Sequence, residues 1–105
     1  MLPKKGDILR LDKTADMMPV RSSRGGGFWT CGNPQSTPEG TLLRFLRTRN
    51  ESAMVQIINS TSPKVRKMIR TIHPDTNSRQ TYSVDAYAVS FHCKRDEFNE
   101  TMLLG

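Results

Sequence analysis

Thr41-Leu42-Leu43-Arg44-Phe45-Leu46-Arg47-Thr48-Arg49-Asn50-Glu51-Ser52-Ala53-Met54-Val55-Gln56-Ile57-Ile58 is the stretch whose reading decides the fold. Two periods compete in its first half. Leu42, Phe45 and Leu46 fit one helix face, and Thr37-Pro38-Glu39 would serve as a helix start. The rival is a strand with Leu43 and Phe45 inward. Arg49-Asn50-Glu51-Ser52 then reads as a turn. Ala53, Val55 and Ile57 line one face of a second strand. Gly40 and Thr41 suit a strand start better than a first helical turn, so the hairpin is preferred. The chain is then mainly β: a small barrel or strongly bent antiparallel sheet with one short helix. The helical reading would instead give an α+β chain with helices near 38–49 and 63–72.

Toward the N-terminus, Gly6-Asp7-Ile8-Leu9-Arg10-Leu11 reads as a first strand, with Leu9 and Leu11 on one face and Ile8 and Arg10 on the other. Residues 12–27 read as a basic, Gly-rich, flexible loop ending in Gly25-Gly26-Gly27. Phe28-Trp29-Thr30-Cys31 is a short strand, and residues 32–40 a loop. Toward the C-terminus, Ser62-Pro63 is a good N-cap and first-turn pair. Val65, Met68, Ile69 and Ile72 then follow helical spacing. As a helix, 62–72 turns Lys64, Arg66, Lys67 and Arg70 away from that stripe; a twisted hairpin arm is the alternative. His73-Pro74-Asp75-Thr76-Asn77-Ser78 is a turn. Thr81 to Cys93 is a last strand region, with Tyr87, Val89, Phe91 and Cys93 on one face. Residues 94–105 form a tail, a short helix or a frayed end. No linker divides the chain, so its 105 residues make one domain.

The opening Pro3-Lys4-Lys5-Gly6-Asp7-Ile8-Leu9-Arg10-Leu11 resembles the first strand of SH3-like small barrels, including KOW-type domains. There a basic residue and then Gly-Asp lead into an alternating apolar strand. Pro38-Glu39-Gly40-Thr41 and the Tyr82-to-Phe91 end are compatible with later strands of such a barrel. The resemblance implies binding to RNA, DNA or the transcription and translation machinery. The long insert between Asp12 and Phe28 departs from the minimal KOW pattern, so no binding residue is carried over.

The net charge is +6, and it is segregated. Between Met17 and Pro74 stand Arg21, Arg24, Arg44, Arg47, Arg49, Lys64, Arg66, Lys67 and Arg70, with only Glu39 and Glu51 as acids. That stretch is +7 and the remainder −1. Segregation of this kind predicts a one-sided field. Seven of the nine cations are arginines, whose planar fork suits phosphate.

Three constellations follow. In the first, Arg21 and Arg24 on flexible glycine follow a phosphate backbone while Phe28 or Trp29 stacks on an unpaired base. The plainer reading of the two rings is core. Neighbours on a strand face opposite sides, so one ring is expected buried and one presented, with Trp29 the buried one. The second is Lys64, Arg66, Lys67 and Arg70 on a helix. The third is Arg44, Arg47 and Arg49; on a regular strand Arg47 and Arg49 share the face of Leu43 and Phe45, and Arg44 the other. For both basic sets the plainer reading is a solvated face.

Catalytic patterns are sparse. His92 and Cys93 are adjacent, and adjacent strand residues point apart. Cys31, Cys93, His73 and His92 have no metal-ligand spacing, and no phosphate-loop motif is present. No cofactor is expected. No apolar run spans a bilayer and the start lacks a secretory h-region, so a cytoplasmic protein with two free thiols is expected. The leading expectation is a non-enzymatic nucleic-acid-binding protein gripping phosphates through a central Arg/Lys surface. The alternative is a small inhibitor or adaptor, of the kind phages encode, docking its basic face on an acidic host protein. A metal-independent nuclease using His73 is a third reading.

Overall fold

The structure, a computed structural model, describes residues 3–22, 25, 27–69, 72–73 and 78–98. In chain order the elements are β1 (Ile8–Leu11), β2 (Ala15–Ser22), β3 (Phe28–Thr30), β4 (Gln35–Thr37), β5 (Leu42–Arg49), β6 (Ser52–Asn59), α1 (Pro63–Ile69), β7 (Ile72–His73), β8 (Ser78–Arg79), β9 (Thr81–Asp85) and β10 (Val89–Cys93). Short 3-10 turns lie at Ala86–Ala88 and Arg95–Glu97. Eight strands form one antiparallel sheet in the order β10-β1-β5-β6-β9-β2-β3, with β4 also pairing β2. β7 and β8 form a separate ribbon. Among the described residues the chain is thus mainly β with one short helix, and residues 42–49 are a strand rather than a helix.

Local chemistry explains the key elements. Gly6 takes φ +96°, which a side chain would strain, and the Asp7 carboxylate accepts the Lys4 N–H at 2.8 Å. That turn delivers β1 beside β5, where Gly6 N–H donates to Phe45 O at 2.7 Å. The β5–β6 hairpin turns at Asn50, whose φ of 55° an asparagine tolerates. α1 starts as its sequence predicts: Ser62 Oγ accepts the Val65 N–H at 3.3 Å, and Pro63 fills the first turn.

One face of the sheet carries the main core, including Leu9, Leu11, Leu43, Phe45, Val55 and Ile57. α1 packs over this face through Val65 and Ile69, both buried in the cluster. Burial of each such side chain contributes about 1.5–3 kcal/mol. The other face is the outer face.

Three expectations need correction. The 12–27 stretch contains β2, and 32–40 contains β4, because these segments pair with each other and β2 also pairs with β9 across more than sixty residues of chain. The 81–93 region is not one strand. The Asp85 carboxylate accepts the Tyr87 N–H at 2.9 Å and seeds a 3-10 turn that seats Ala88 in the core. Phe91 and Cys93 do not share a face either. They pair with Leu9 and Ile8, adjacent residues of β1, because the register slips at His92.

Candidate nucleic-acid interface

The site begins with a β-bulge. On β5, Phe45 pairs with Val55 and Arg47 with Met54, so Leu46 is an extra residue opposite a single step of β6. Regular pairing would have put Arg47 and Arg49 on the face of Leu43 and Phe45, as the alternation predicts. The bulge absorbs Leu46 and turns both arginines outward. Arg44, Arg47 and Arg49 therefore pair with Gln56, Met54 and Ser52, alternate residues on one face of β6. All three arginines share the outer face.

Cross-strand register extends this face sideways. Arg47, Met54, Ser83 and Met18 lie in one row across β5, β6, β9 and β2. A second row runs through Cys93, Ile8, Arg44 and Gln56. Arg44 Nη1 donates to Gly6 O at 3.5 Å, which ties it to the turn before β1. Asp85 stands in register with Ser52, with its carboxylate capping the 3-10 turn.

β3 supplies the aromatic part. Val20, Arg21 and Ser22 pair with Thr30, Trp29 and Phe28. Phe28 and Thr30 therefore share the face of Val20, and Trp29 shares the opposite face with Arg21. Phe28 is half-buried under two guanidinium groups: Arg47 at 4.5 Å and Arg49 at 5.8 Å from the ring centroid. Arg49 Nη1 also donates to Phe28 O at 3.0 Å. Each cation–ring contact is worth about 0.5–1 kcal/mol at an exposed site, which offsets part of the rotamer entropy of these long side chains. The two rings split as strand geometry requires, but Trp29 is the presented one, 51% exposed. It lies on β3, at the end of the strand order.

Between β3 and the β5–β6 turn lies an open cavity of about 220 Å³. Met18, Val20 and Met54 form its floor, Phe28 a wall, and Asn50 and Ser83 part of the rim. The sequence shows no mark of this cavity, because its floor comes from strands far apart in the chain.

The basic set is not one surface. Lys64, Arg66 and Lys67 are exposed on α1, which covers the core face, whereas the β5 arginines occupy the outer face. α1 also follows Asn59, at the far end of β6 from Ser52, roughly 23 Å away at 3.3 Å per residue. Arg24 and Arg70 lie outside the described residues, as does the side chain of His73.

A second basic cleft, of about 390 Å³, escaped the sequence reading. It joins Lys4 and Lys5 to Lys94 and Arg95 around Phe91, with Asp7 and Asp96 also lining it. These residues come from the two ends of the described chain, and the β1–β10 pairing brings them together.

Cys31 is an exposed free thiol and Cys93 a partly buried one. Burial first, then the Glu97 and Asp7 carboxylates, push the Cys93 thiol pKa upward and disfavour its thiolate. Burial, then Cys31, likewise raises the Tyr82 phenol. Among the described residues, no three His, Cys, Asp or Glu side chains converge as metal ligands, and no helix is long and apolar enough to cross a membrane.

Comparison with protein families, with curated proteins and with solved structures gives no significant match.

Proposed function

We propose that this protein binds RNA or DNA, that it does so without catalysing a reaction, and that Arg44, Arg47 and Arg49 are its principal phosphate contacts. The observation that carries this reading is the alignment of those three arginines on the sheet face away from the main core, Arg47 exposed and Arg44 and Arg49 partly so, with Arg47 and Arg49 braced on the Phe28 ring. A guanidinium braced in this way loses little side-chain freedom on meeting a phosphate. Arg21 and Trp29 face the other side of the sheet on β2 and β3 and stand outside this footprint. Lys64, Arg66 and Lys67 add to the long-range field rather than to the footprint. The small-barrel reading of SH3-like, KOW-type kind draws support from the Gly6-Asp7 turn, which feeds β1 into the sheet. A cytoplasmic setting would keep both cysteines reduced.

Salt dependence is the test. Three arginine–phosphate contacts give a slope of log affinity against log salt of about −2 on a single strand and nearer −3 on a duplex. An affinity for RNA and DNA that stays flat between low and moderate salt refutes the reading. Cleavage of either polymer by the purified chain refutes its non-enzymatic part.

A second reading has its own support. Tyr87 is 78% and Phe91 45% exposed, and Phe91 lines the cleft shared with Lys4, Lys5, Lys94 and Arg95. Exposed rings beside cations suit an adaptor that docks on an acidic protein surface. That reading requires a stoichiometric partner that survives nuclease and is released by Tyr87→Ala with Phe91→Ala.

A further inference from the structure

We infer that the cavity between β3 and the β5–β6 turn receives one unpaired nucleobase, which makes the protein selective for single-stranded over double-stranded nucleic acid. The inference rests on the nucleic-acid reading above and adds to it a ligand class and a second set of residues.

Four features of the cavity lead there. Its floor is apolar: Met54 and Val20 are buried side chains on the outer face, and Met18 lies in the same row as Met54. A phosphate would be desolvated against that floor without a cation beneath it, so the floor calls for an uncharged group. Its size is about 220 Å³, below the roughly 300–1,000 Å³ of sites for drug-sized ligands, which fits a single ring system. Its rim is polar. Asn50 offers an amide with both donors and an acceptor, and Ser52 and Ser83 offer hydroxyls, the groups that pair with the edge of a base. Its surroundings are cationic, since Arg49 lines the cavity and Arg47 stands in the Met54–Ser83–Met18 row.

Together these give an apolar slot for a base and guanidiniums for its flanking phosphates. Methionine suits such a floor because its flexible thioether adapts to rings of different shape. Phe28 adds a π face at the wall, engaged by Arg47 from one side. A base inside a duplex has both faces stacked and its pairing edge occupied, and must be flipped out before it can enter. A base in a single strand is already available. RNA and single-stranded DNA present the same base and phosphate chemistry to this slot, so both are arms of the test.

Trp29, the one tryptophan, lies on the strand face opposite Phe28 and Val20, so binding is read by anisotropy of end-labelled oligonucleotides rather than by its fluorescence. Oligouridylate, oligothymidylate and RNA and DNA duplexes matched in phosphate number are titrated with the 105-residue chain at equal salt. The single strands are expected to bind about tenfold tighter than the duplexes, in line with one stacked base. Ser83→Phe fills the slot from β9 and is expected to bring single-strand affinity down to the duplex level, with the thermal melt checking the fold. Asn50→Gly suits the positive φ there and removes only the rim amide. It is expected to weaken single-strand binding and leave duplex binding unchanged. Equal affinity for single strands and duplexes, or a preference that survives both variants, overturns the base slot while leaving phosphate binding intact. Failure of every oligonucleotide to bind removes both.

Discussion

β5 and α1 carry similar numbers of cations, and they end in different states. On α1 the apolar stripe faces the sheet, which leaves Lys64, Arg66 and Lys67 in water on the core-covering side. On β5 the arginines sit on a hydrogen-bonded strand, two of them over Phe28, beside a cavity. The difference teaches that charge count marks a basic protein but does not mark its binding surface. On the proposed reading, what selects the surface is whether the backbone fixes the cations next to a cavity able to take part of a ligand. Here one extra residue, Leu46, decides that.

The largest expected effect therefore comes from changing the bulge. Inserting an alanine between Met54 and Val55 gives Leu46 a partner and restores regular pairing. Arg47 would then turn toward the core face, as period-2 alternation dictates. Burying an uncompensated cation costs about 3–5 kcal/mol, a large part of the stability of a domain this size. Deleting Leu46 is the control. It removes the bulge but leaves Phe45 inward and Arg47 outward, so it should cost about 1 kcal/mol, as an ordinary substitution does. Urea unfolding of the two variants measures both. A deletion more damaging than the insertion would show that the bulge serves some purpose other than aiming the arginines.

The next effect is on binding. Arg47→Ala with Arg49→Ala should lower affinity for a single-stranded oligonucleotide about a hundredfold, about 2.7 kcal/mol for two charge-assisted contacts. Lys64→Ala, Arg66→Ala and Lys67→Ala together remove one more charge yet should cost less than about threefold. They act from beyond a Debye length of about 10 Å. Fluorescence anisotropy at one fixed salt concentration compares the two directly. Equal losses would return the protein to a simple field of charge and erase the distinction between strand and helix.

Much of the architecture was legible in the residues. Leu9 and Leu11 marked β1's inner face, Leu43 and Phe45 against Val55 and Ile57 marked the hairpin, and Ser62-Pro63 with Val65 and Ile69 marked the helix. These are local patterns, and they survive folding unchanged. β2 and β4 were not legible, because their stability comes from partners such as Thr37, Ser83 and Tyr82 rather than from alternation of their own. The arginines stood out in the sequence as candidates, but their facing did not. A bulge adds a residue without a compositional mark, so strict alternation assigned Arg47 and Arg49 to the core side. The expectation that Trp29 is the buried ring of the pair failed on a different ground. Alternation says that neighbours diverge, and only the pairing with β2 says which way.

The smallest effect compares the sheet's two edges through their thiols. Cys31 follows β3 at one edge and is exposed; Cys93 ends β10 at the other. Burial, with Glu97 and Asp7 nearby, holds the Cys93 pKa above the ordinary thiol value in the folded chain. The protonated thiol is therefore the form that the fold favours. Its contribution to stability is intact below the ordinary thiol pKa and is lost as pH rises through the raised one. Iodoacetamide labelling followed by peptide mass spectrometry should find Cys31 modified first and Cys93 lagging, with the Cys93 midpoint displaced to higher pH. Glu97→Gln removes one of the two carboxylates and should bring that midpoint part of the way back. It should not bring it all the way, because burial is the larger cause. Full recovery in Glu97→Gln would mean that charge, not desolvation, governs the β10 edge. Cys93 would then belong to the electrostatics of the Lys4–Arg95 cleft rather than to packing against Ile8.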